Sequence, residues 1–244
     1  MIISGCDLVE GDQVIGIIET EECHPNKDGR NDQMILQLDH VDFIRNRNLG
    51  GSLLSVTDPA CYGVIMKNVV FDSNEYTEHS QLSTSNEIKD ARFISNGLFD
   101  PSRTTPLFYC PPESRTTFIH VTAENNADTL FHIDRAKIGI QNSLFSKNLA
   151  KNAGVIFGNA SEFSISASSF DSNHCEGNGA TVALFCVKNG TFSSVNFTNS
   201  TAASGNAILL TDPRNVGFSN CVFESNVAEA TSSLSEGGVL KING

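Results

Sequence analysis

Phe170-Asp171-Ser172-Asn173, then Gly179-Ala180-Thr181-Val182-Ala183-Leu184, then Phe197-Thr198-Asn199, Gly205-Asn206-Ala207-Ile208-Leu209-Leu210 and Val216-Gly217-Phe218 read as two successive turns of one unit that ends at Phe223. The unit is a Phe, a polar turn ending in Asn, a Gly, an apolar strand, another turn, and an apolar pair leading to the next Phe. Extended in both directions it gives anchors at Phe43, Phe71, Phe93, Phe118, Phe145, Phe170, Phe197 and Phe223, spaced 28, 22, 25, 27, 25, 27 and 26 residues apart. Self-similarity at such a period marks a solenoid or a related repeat array. Six anchors carry F-x-x-N, at Asn46, Asn74, Asn96, Asn148, Asn173 and Asn226; Phe197 has Asn199 two residues on, and Phe118 has none.

Counting back five residues from each anchor gives Leu38, Met66, Ile88, Glu113, Ile140, Ile165, Phe192 and Phe218, apolar in seven of eight cases. Counting back seven gives Leu36, Val64, Asn86, Pro111, Ile138, Phe163, Gly190 and Val216. Two before the anchor stand Val41, Val69, Ala91, Thr116, Ser143, Ser168, Val195 and Cys221, so Cys221 reads as a small inward residue. Offsets of two place side chains on one face of a strand, a register that a helix would not keep.

A second strand follows each Asn turn, at Ser52-Leu53-Leu54, Leu107-Phe108-Tyr109, Leu130 to Ile133, Val155-Ile156-Phe157, Ala180 to Leu184, Ala207 to Leu210 and Val239 to Ile242. Three short strands per ~26 residues, with no helical period between them, predict an all-β, right-handed parallel β-helix of about 8–9 coils. Eight coils at the ~4.8 Å strand spacing would form a rod on the order of 40 Å long. A leucine-rich repeat shares the period and the Asn, but it would add helix.

The expected organisation is an irregular N-terminal coil or cap over 1–33, with Val14 to Ile18 as its strand and Cys23 to Asp32 as a loop, followed by β-helix repeats over 34–244. Within the repeats, 96–117 reads as a distorted coil, because it holds Pro101, Pro106, Pro111 and Pro112 and puts Glu113 at an otherwise apolar position. The Asn of each turn is expected to take the left-handed conformation of a sharp corner, and stacked Asn amides to bond from coil to coil. Thr57-Asp58-Pro59, Phe99-Asp100-Pro101 and Thr211-Asp212-Pro213 read as further corners.

Composition narrows the function. The 244-residue chain has a formal net charge of −12, with no basic cluster, which argues against a nucleic-acid partner. Seven cysteines without C-x-x-C spacing indicate neither a zinc site nor a disulfide framework. No apolar run is long enough for a membrane span, and Met1-Ile2-Ile3-Ser4 does not begin a signal peptide.

The repeat resembles those of chlamydial-type polymorphic outer-membrane proteins, in which G-G-A-[ILV] alternates with F-x-x-N, and it is similar to repeats in large surface proteins of some protists. The matching tetrads are Gly50-Gly51-Ser52-Leu53, Gly205-Asn206-Ala207-Ile208 and Gly237-Gly238-Val239-Leu240. The resemblance covers roughly residues 34–244 and implies a surface-exposed, adhesin-like rod, part of a larger protein, that binds carbohydrate or protein.

Many β-helices are polysaccharide lyases or glycoside hydrolases, so a carbohydrate-active enzyme is the alternative. The residue after the anchor is acidic at Asp72, Asp171 and Glu224, with Ser146 and Thr198 in intervening coils. Asp171 and Glu224 would lie roughly 9–10 Å apart, near the upper limit for an inverting pair of carboxylates. With no cation at that phase, they read as solvated turn carboxylates. His24, His40, His79, His120, His132 and His174 share no phase and no ligand spacing, and His132, alternating with Phe131 and Ile133, reads as an outward or hydrogen-bonded side chain. The sequence thus nominates no catalytic, cofactor-binding or metal-binding residue. Four N-x-[ST] sequons, at Asn159, Asn189, Asn196 and Asn199, are the number chance would give. The last coil, Val239 to Gly244, lacks a polar cap, which predicts end-to-end association through it.

Overall fold

The computed structural model describes residues 2–4, 7–8, 16–19, 34–48, 52–56, 62–98, 105–150, 154–176, 181–202, 207–228 and 239–243. They form parallel strands throughout, with no helix among the described residues. The chain winds as a parallel β-solenoid, a connection geometry for which the right-handed crossover is the rule.

The first wall is a nine-stranded sheet of three-residue strands: Ile2–Ser4, Asp42–Ile44, Val70–Asp72, Arg92–Ile94, Thr122–Glu124, Leu144–Ser146, Ser169–Asp171, Asn196–Thr198 and Val222–Glu224. Its central residues are in register as Ile3, Phe43, Phe71, Phe93, Ala123, Phe145, Phe170, Phe197 and Phe223. Residues Ile2–Ser4, Asp7–Leu8 and Gly16–Glu19 therefore stack as strands of the same walls on the strands of the next turn. The loop expected over 23–32 lies outside the described residues, as do the corners at Pro59 and Pro101.

The anchor between Phe93 and Phe145 is thus Ala123, not Phe118. Phe118 pairs between Ile88 and Ile140, five residues before the anchor, and Thr116 pairs between Asn86 and Ile138. With the anchor moved, Val121 becomes the small inward residue and Glu113 leaves the apolar row for a corner. There it closes a tight turn with Pro111 and Pro112, in which the Ser114 N–H donates to the Pro111 carbonyl at 3.2 Å. The missing ring is supplied from across the core. Phe131, on the second wall, lies 6.3 Å from Phe93, 6.1 Å from Phe145 and 4.2 Å from Phe118, and so bridges the gap over Ala123. Elsewhere the anchors stack directly, with ring centres 4.5 Å apart for Phe43 and Phe71, 4.8 Å for Phe145 and Phe170, and 4.9 Å for Phe170 and Phe197.

From Asp42–Ile44 to Val222–Glu224, each strand of the first wall is bracketed by two residues of positive φ. They are His40 and Arg45 in one coil, Asn68 and Ser73 in the next, and so on to Asn220 and Ser225. The corner residue is the one before the ladder Asn, which corrects the expectation that the Asn itself turns left-handed. A left-handed non-Gly residue costs ~1–2 kcal/mol, offset here because its N–H bonds the adjacent coil, as from Arg45 to the Asp72 carbonyl at 2.9 Å.

The Asn is free to serve as a buried bracket instead. Asn74 donates its backbone N–H and its Nδ2 to Asn96 Oδ1 at 3.1 and 2.9 Å, and Nδ2 also reaches the Phe43 carbonyl at 2.9 Å. The pattern repeats through Asn96, Asn126 and Asn148 to Asn173. Ser200, not Asn199, takes the next place, accepting from the Asn173 N–H at 3.3 Å, while Ser200 N–H donates to Asn226 Oδ1 at 3.1 Å. Paired amides satisfy polar groups that would otherwise be costly to bury.

The second wall holds Ser52–Ser55, Ser80–Gln81, Phe108–Cys110, Val182–Phe185, Ile208–Thr211 and Leu240–Asn243. The third holds Met34–Asp39, Tyr62–Lys67, Ser85–Lys89, Arg115–Ile119, Asn189–Ser193 and Asn215–Ser219. Two eleven-residue strands, Phe131–Gln141 and Ile156–Ser166, run through both walls and fuse them. Their register shifts on either side of Ala136, which pairs with Ala160. Just before the shift Gly158 pairs with Ile133, and its φ of +130° and approach to the Ile133 backbone leave no room for a side chain. Asp212, with φ 50°, forms the expected corner before Pro213.

Candidate functional site

Strand alternation decides what the second wall shows to solvent. Phe108 and Cys110, Phe131 and Ile133, and Val155 and Ile156 are buried, so Tyr109, His132 and Phe157 point outward and are half-buried. Parallel pairing puts these three in one row, Tyr109 on His132 and His132 on Phe157. His79 and Phe185 add a ring at either end, each two residues away from the residue in register with the row, since Gln81 pairs with Tyr109 and Ala183 with Phe157. Ring centres step 5.1 Å from His79 to Tyr109, 5.6 Å to His132, 5.5 Å to Phe157 and 5.4 Å to Phe185. One ring per coil makes a continuous aromatic file that slants across the second wall at its two ends. The Tyr109 hydroxyl donates to Asp134 Oδ2 at 3.2 Å, and Asp134 pairs in register with the exposed Asn159.

The environment sets the protonation of the file. Burial holds the His79 imidazole below its ordinary value, against a smaller opposite pull from Glu78. Burial does the same to His132, where Asp134 pulls upward and His79 downward. Burial and then Asp134 raise the Tyr109 hydroxyl. The file is therefore an uncharged aromatic surface at neutral pH.

Where the second wall bends into the third, a groove of about 550 Å³ is lined by Glu113, Arg135, Lys137, Asn159, Cys186 and Lys188, among others. Phe185 adjoins Cys186, so the ring file ends at the rim of this groove. Cys186 is an exposed free thiol, whereas burial pushes the Cys110 and Cys175 thiols up to about 12 and makes them inert core groups. Cys221 packs half-buried against the core, its Sγ 3.5 Å from the Phe192 carbonyl.

Asp171 and Glu224 occupy one row of the first wall with Thr198 between them. Asp171 accepts from Thr198 Oγ1 at 2.6 Å, Asn199 Nδ2 at 2.9 Å and Ser172 Oγ at 3.0 Å. Those hydrogen bonds, Thr198 first, hold its carboxyl below the usual range. The carboxylate is a clasp between coils. The sequon residues Asn159, Asn189, Asn196 and Asn199 are all exposed. No group of three His, Cys, Asp or Glu placed to hold a metal is found among the described residues. Val222, Leu240 and Ile242 are exposed, Ile242 at 56 %.

Sequence reasoning, which allowed His132 to be outward or hydrogen-bonded, missed the file. The signal was available: aligning Leu107-Phe108-Tyr109, Phe131-His132-Ile133 and Ile156-Phe157-Gly158 on their buried residues puts the three rings in one column. The positions of His79 and Phe185 depend on side-chain direction and on the adjacent coil, which that alignment does not contain.

These walls define a parallel β-solenoid repeat protein. No family model matches the sequence, and a search of curated proteins gives no match. Among solved structures, HetL, a pentapeptide repeat protein involved in heterocyst differentiation regulation from the cyanobacterium Nostoc sp. strain PCC 7120, is similar at 10% identity, covering 84% of this chain and 94% of that one with a TM-score of 0.25. That likeness is too remote to bear on function, and the fold assignment rests on the strand pairing itself.

Proposed function

We propose that the chain is a non-enzymatic binding module whose ring-bearing second wall receives a carbohydrate. The observation that carries this reading is the aromatic file from His79 to Phe185, one ring per coil at steps of 5.1–5.6 Å. Successive rings are tilted 54–86° to one another, so the row presents uncharged faces and edges in turn; such apolar surface suits the C–H faces of sugar units, while Asp134 and Asn159 beside it supply hydrogen-bond partners for hydroxyls. Rings held on a rigid sheet lose little conformational freedom on binding. The surface setting, as an adhesin-like part of a larger protein, is supported by the motif resemblance to polymorphic outer-membrane protein repeats. The enzyme alternative is weakened because Asp171 is committed to three donors across two coils.

Affinity electrophoresis of the intact chain through gels containing xylan, β-glucan, galactomannan or polygalacturonate tests the reading. Retardation is expected in at least one gel, and Tyr109→Ala/Phe157→Ala should abolish it while the β-type circular dichroism persists. Unretarded migration in every gel, or retardation that survives loss of both rings, refutes the proposal.

A further inference from the structure

The whole molecule is acidic, with 28 Asp and Glu against 16 Lys and Arg, so any place where cations gather is set against its average. Such a place lies at the end of the ring file. Arg135 sits at the bend of one fused strand with φ 50°, Lys137 follows two residues on, and Lys188 follows the corner at Cys186 two coils further along. Arg115 stands one coil before Lys137 in the same row. The acids among them are Glu113, Asp134 and Glu162. Arg135 meets Asp134 at 3.2 Å and Lys137 meets Glu162 at 3.0 Å, both pairs open to solvent. Arg115 and Lys188 are exposed and meet no carboxylate among the described residues. Solvent-exposed pairs of this kind contribute little to stability, so a ligand anion can exchange into them at little cost.

We propose that the carbohydrate received by the second wall is an anionic glycan, bearing carboxylate or sulfate groups, whose charge is held in the corner groove by Arg135, Lys137 and Lys188. The inference rests on the reading of the ring file as a sugar platform and adds its charge class. The geometry that supports it is continuity: Phe157 and Phe185 are 5.4 Å apart, and the residue after Phe185 lines the groove. A sugar chain running along the rings would therefore deliver its next unit into a groove of about 550 Å³, in the range of small-ligand sites. Arg135 can present its planar guanidinium to a carboxylate or sulfate in a two-point contact, with Lys137 and Lys188 as point charges beside it. Long-range repulsion by the acidic remainder is screened beyond about 8 Å at physiological salt, which leaves the local cations to decide.

The test is isothermal titration of the intact chain with oligosaccharides of matched length that are neutral (xylan-derived), uronate-bearing (polygalacturonate-derived) or sulfated (heparin-derived). Wild type is compared with Arg135→Gln/Lys188→Gln and with Tyr109→Ala/Phe157→Ala. We expect at least one anionic series to bind tenfold or more tighter than the neutral one, with the better of the two naming the anion. The preference should shrink as salt rises and vanish in the charge variant, whose β-type circular dichroism stays that of wild type. The ring variant should lose every series, and bound anionic glycan should protect Cys186 from alkylation in peptide mass spectra. Neutral sugars binding as tightly as both anionic series, or a preference that survives in the charge variant, overturns the charge assignment and leaves the ring platform standing. Anionic binding indifferent to ring loss overturns the platform and this inference together.

Discussion

Phe170→Ala removes one ring from the middle of the anchor stack. Phe170 is fully buried, with parallel partners at 4.8 Å (Phe145) and 4.9 Å (Phe197). Truncating a buried Phe costs ~3–5 kcal/mol, and loss of two ring contacts places this site toward the upper end. Ala123 shows what compensation requires, since there Phe131 fills the vacated slot from the opposite wall. In the row of Phe131 the next coils carry Ile156 and Val182, so the second wall offers no ring there to move in. The expected fall in melting temperature is roughly 10 °C. Asp171→Ala, one residue away, removes solvent-facing hydrogen bonds and should cost ~0.5–1.5 kcal/mol. Because repeat arrays can lose cooperativity, hydrogen exchange at 144–146 and 196–198 should be followed beside the melt. Equal shifts for the two variants would mean that the inward and outward faces are assigned wrongly. The same logic predicts that Ala123→Phe overpacks the core by ~1–3 kcal/mol and that adding Phe131→Ala recovers part of the loss, read as a double-mutant cycle.

Three further outcomes follow from the ladder and the file. Asn148→Leu strands the Ala123 carbonyl and the Asn126 amides, at ~1–3 kcal/mol for each buried group, so it should destabilise in chemical denaturation about as much as Phe170→Ala. Ser200→Asn should raise stability by about 1 kcal/mol, because it completes a ladder whose weakest step is the 3.3 Å contact to Asn173. His79 and His132 have folded values below the ordinary 6.5, so the unfolded chain takes protons first; their contribution is present above 6.5 and is lost as pH falls below it. Melting temperature should therefore drop between about pH 7 and 5, and His79→Gln/His132→Gln should flatten that slope.

The solenoid was legible because one residue type recurs at one phase. Its failure came where that residue type was displaced. At the fifth coil a Phe occurs five residues early and an Ala fills the anchor, so a rule keyed on Phe chose Phe118 and moved Glu113, Thr116 and Asn126 out of place. A rule keyed on the Asn would have found Ala123-Glu124-Asn125-Asn126, because the buried amide has no substitute chemistry nearby while a ring can be supplied from another wall. Ser200 shows the limit of that rule as well, since a hydroxyl can accept one bond of the ladder. The corner conformation was assigned one residue late because Asn suits both roles, and only the bonds of Asn74 to Asn96 distinguish them. The ring file was hidden for a different reason: its members Tyr109, His132 and Phe157 differ in type and share only an outward phase.

Whether the second wall is the ligand surface can be read most directly by nuclear magnetic resonance mapping on the ring-labelled chain, titrated with a neutral xylan-derived and a polygalacturonate-derived oligosaccharide. The account predicts saturable shifts at Tyr109, His132, Phe157 and Phe185, continuing into Arg135 and Lys188 for the anionic sugar, with the buried anchors Phe145 and Phe170 unmoved. Shifts confined to the first wall, around Leu144 and Val222, or no shifts with either sugar, would contradict it.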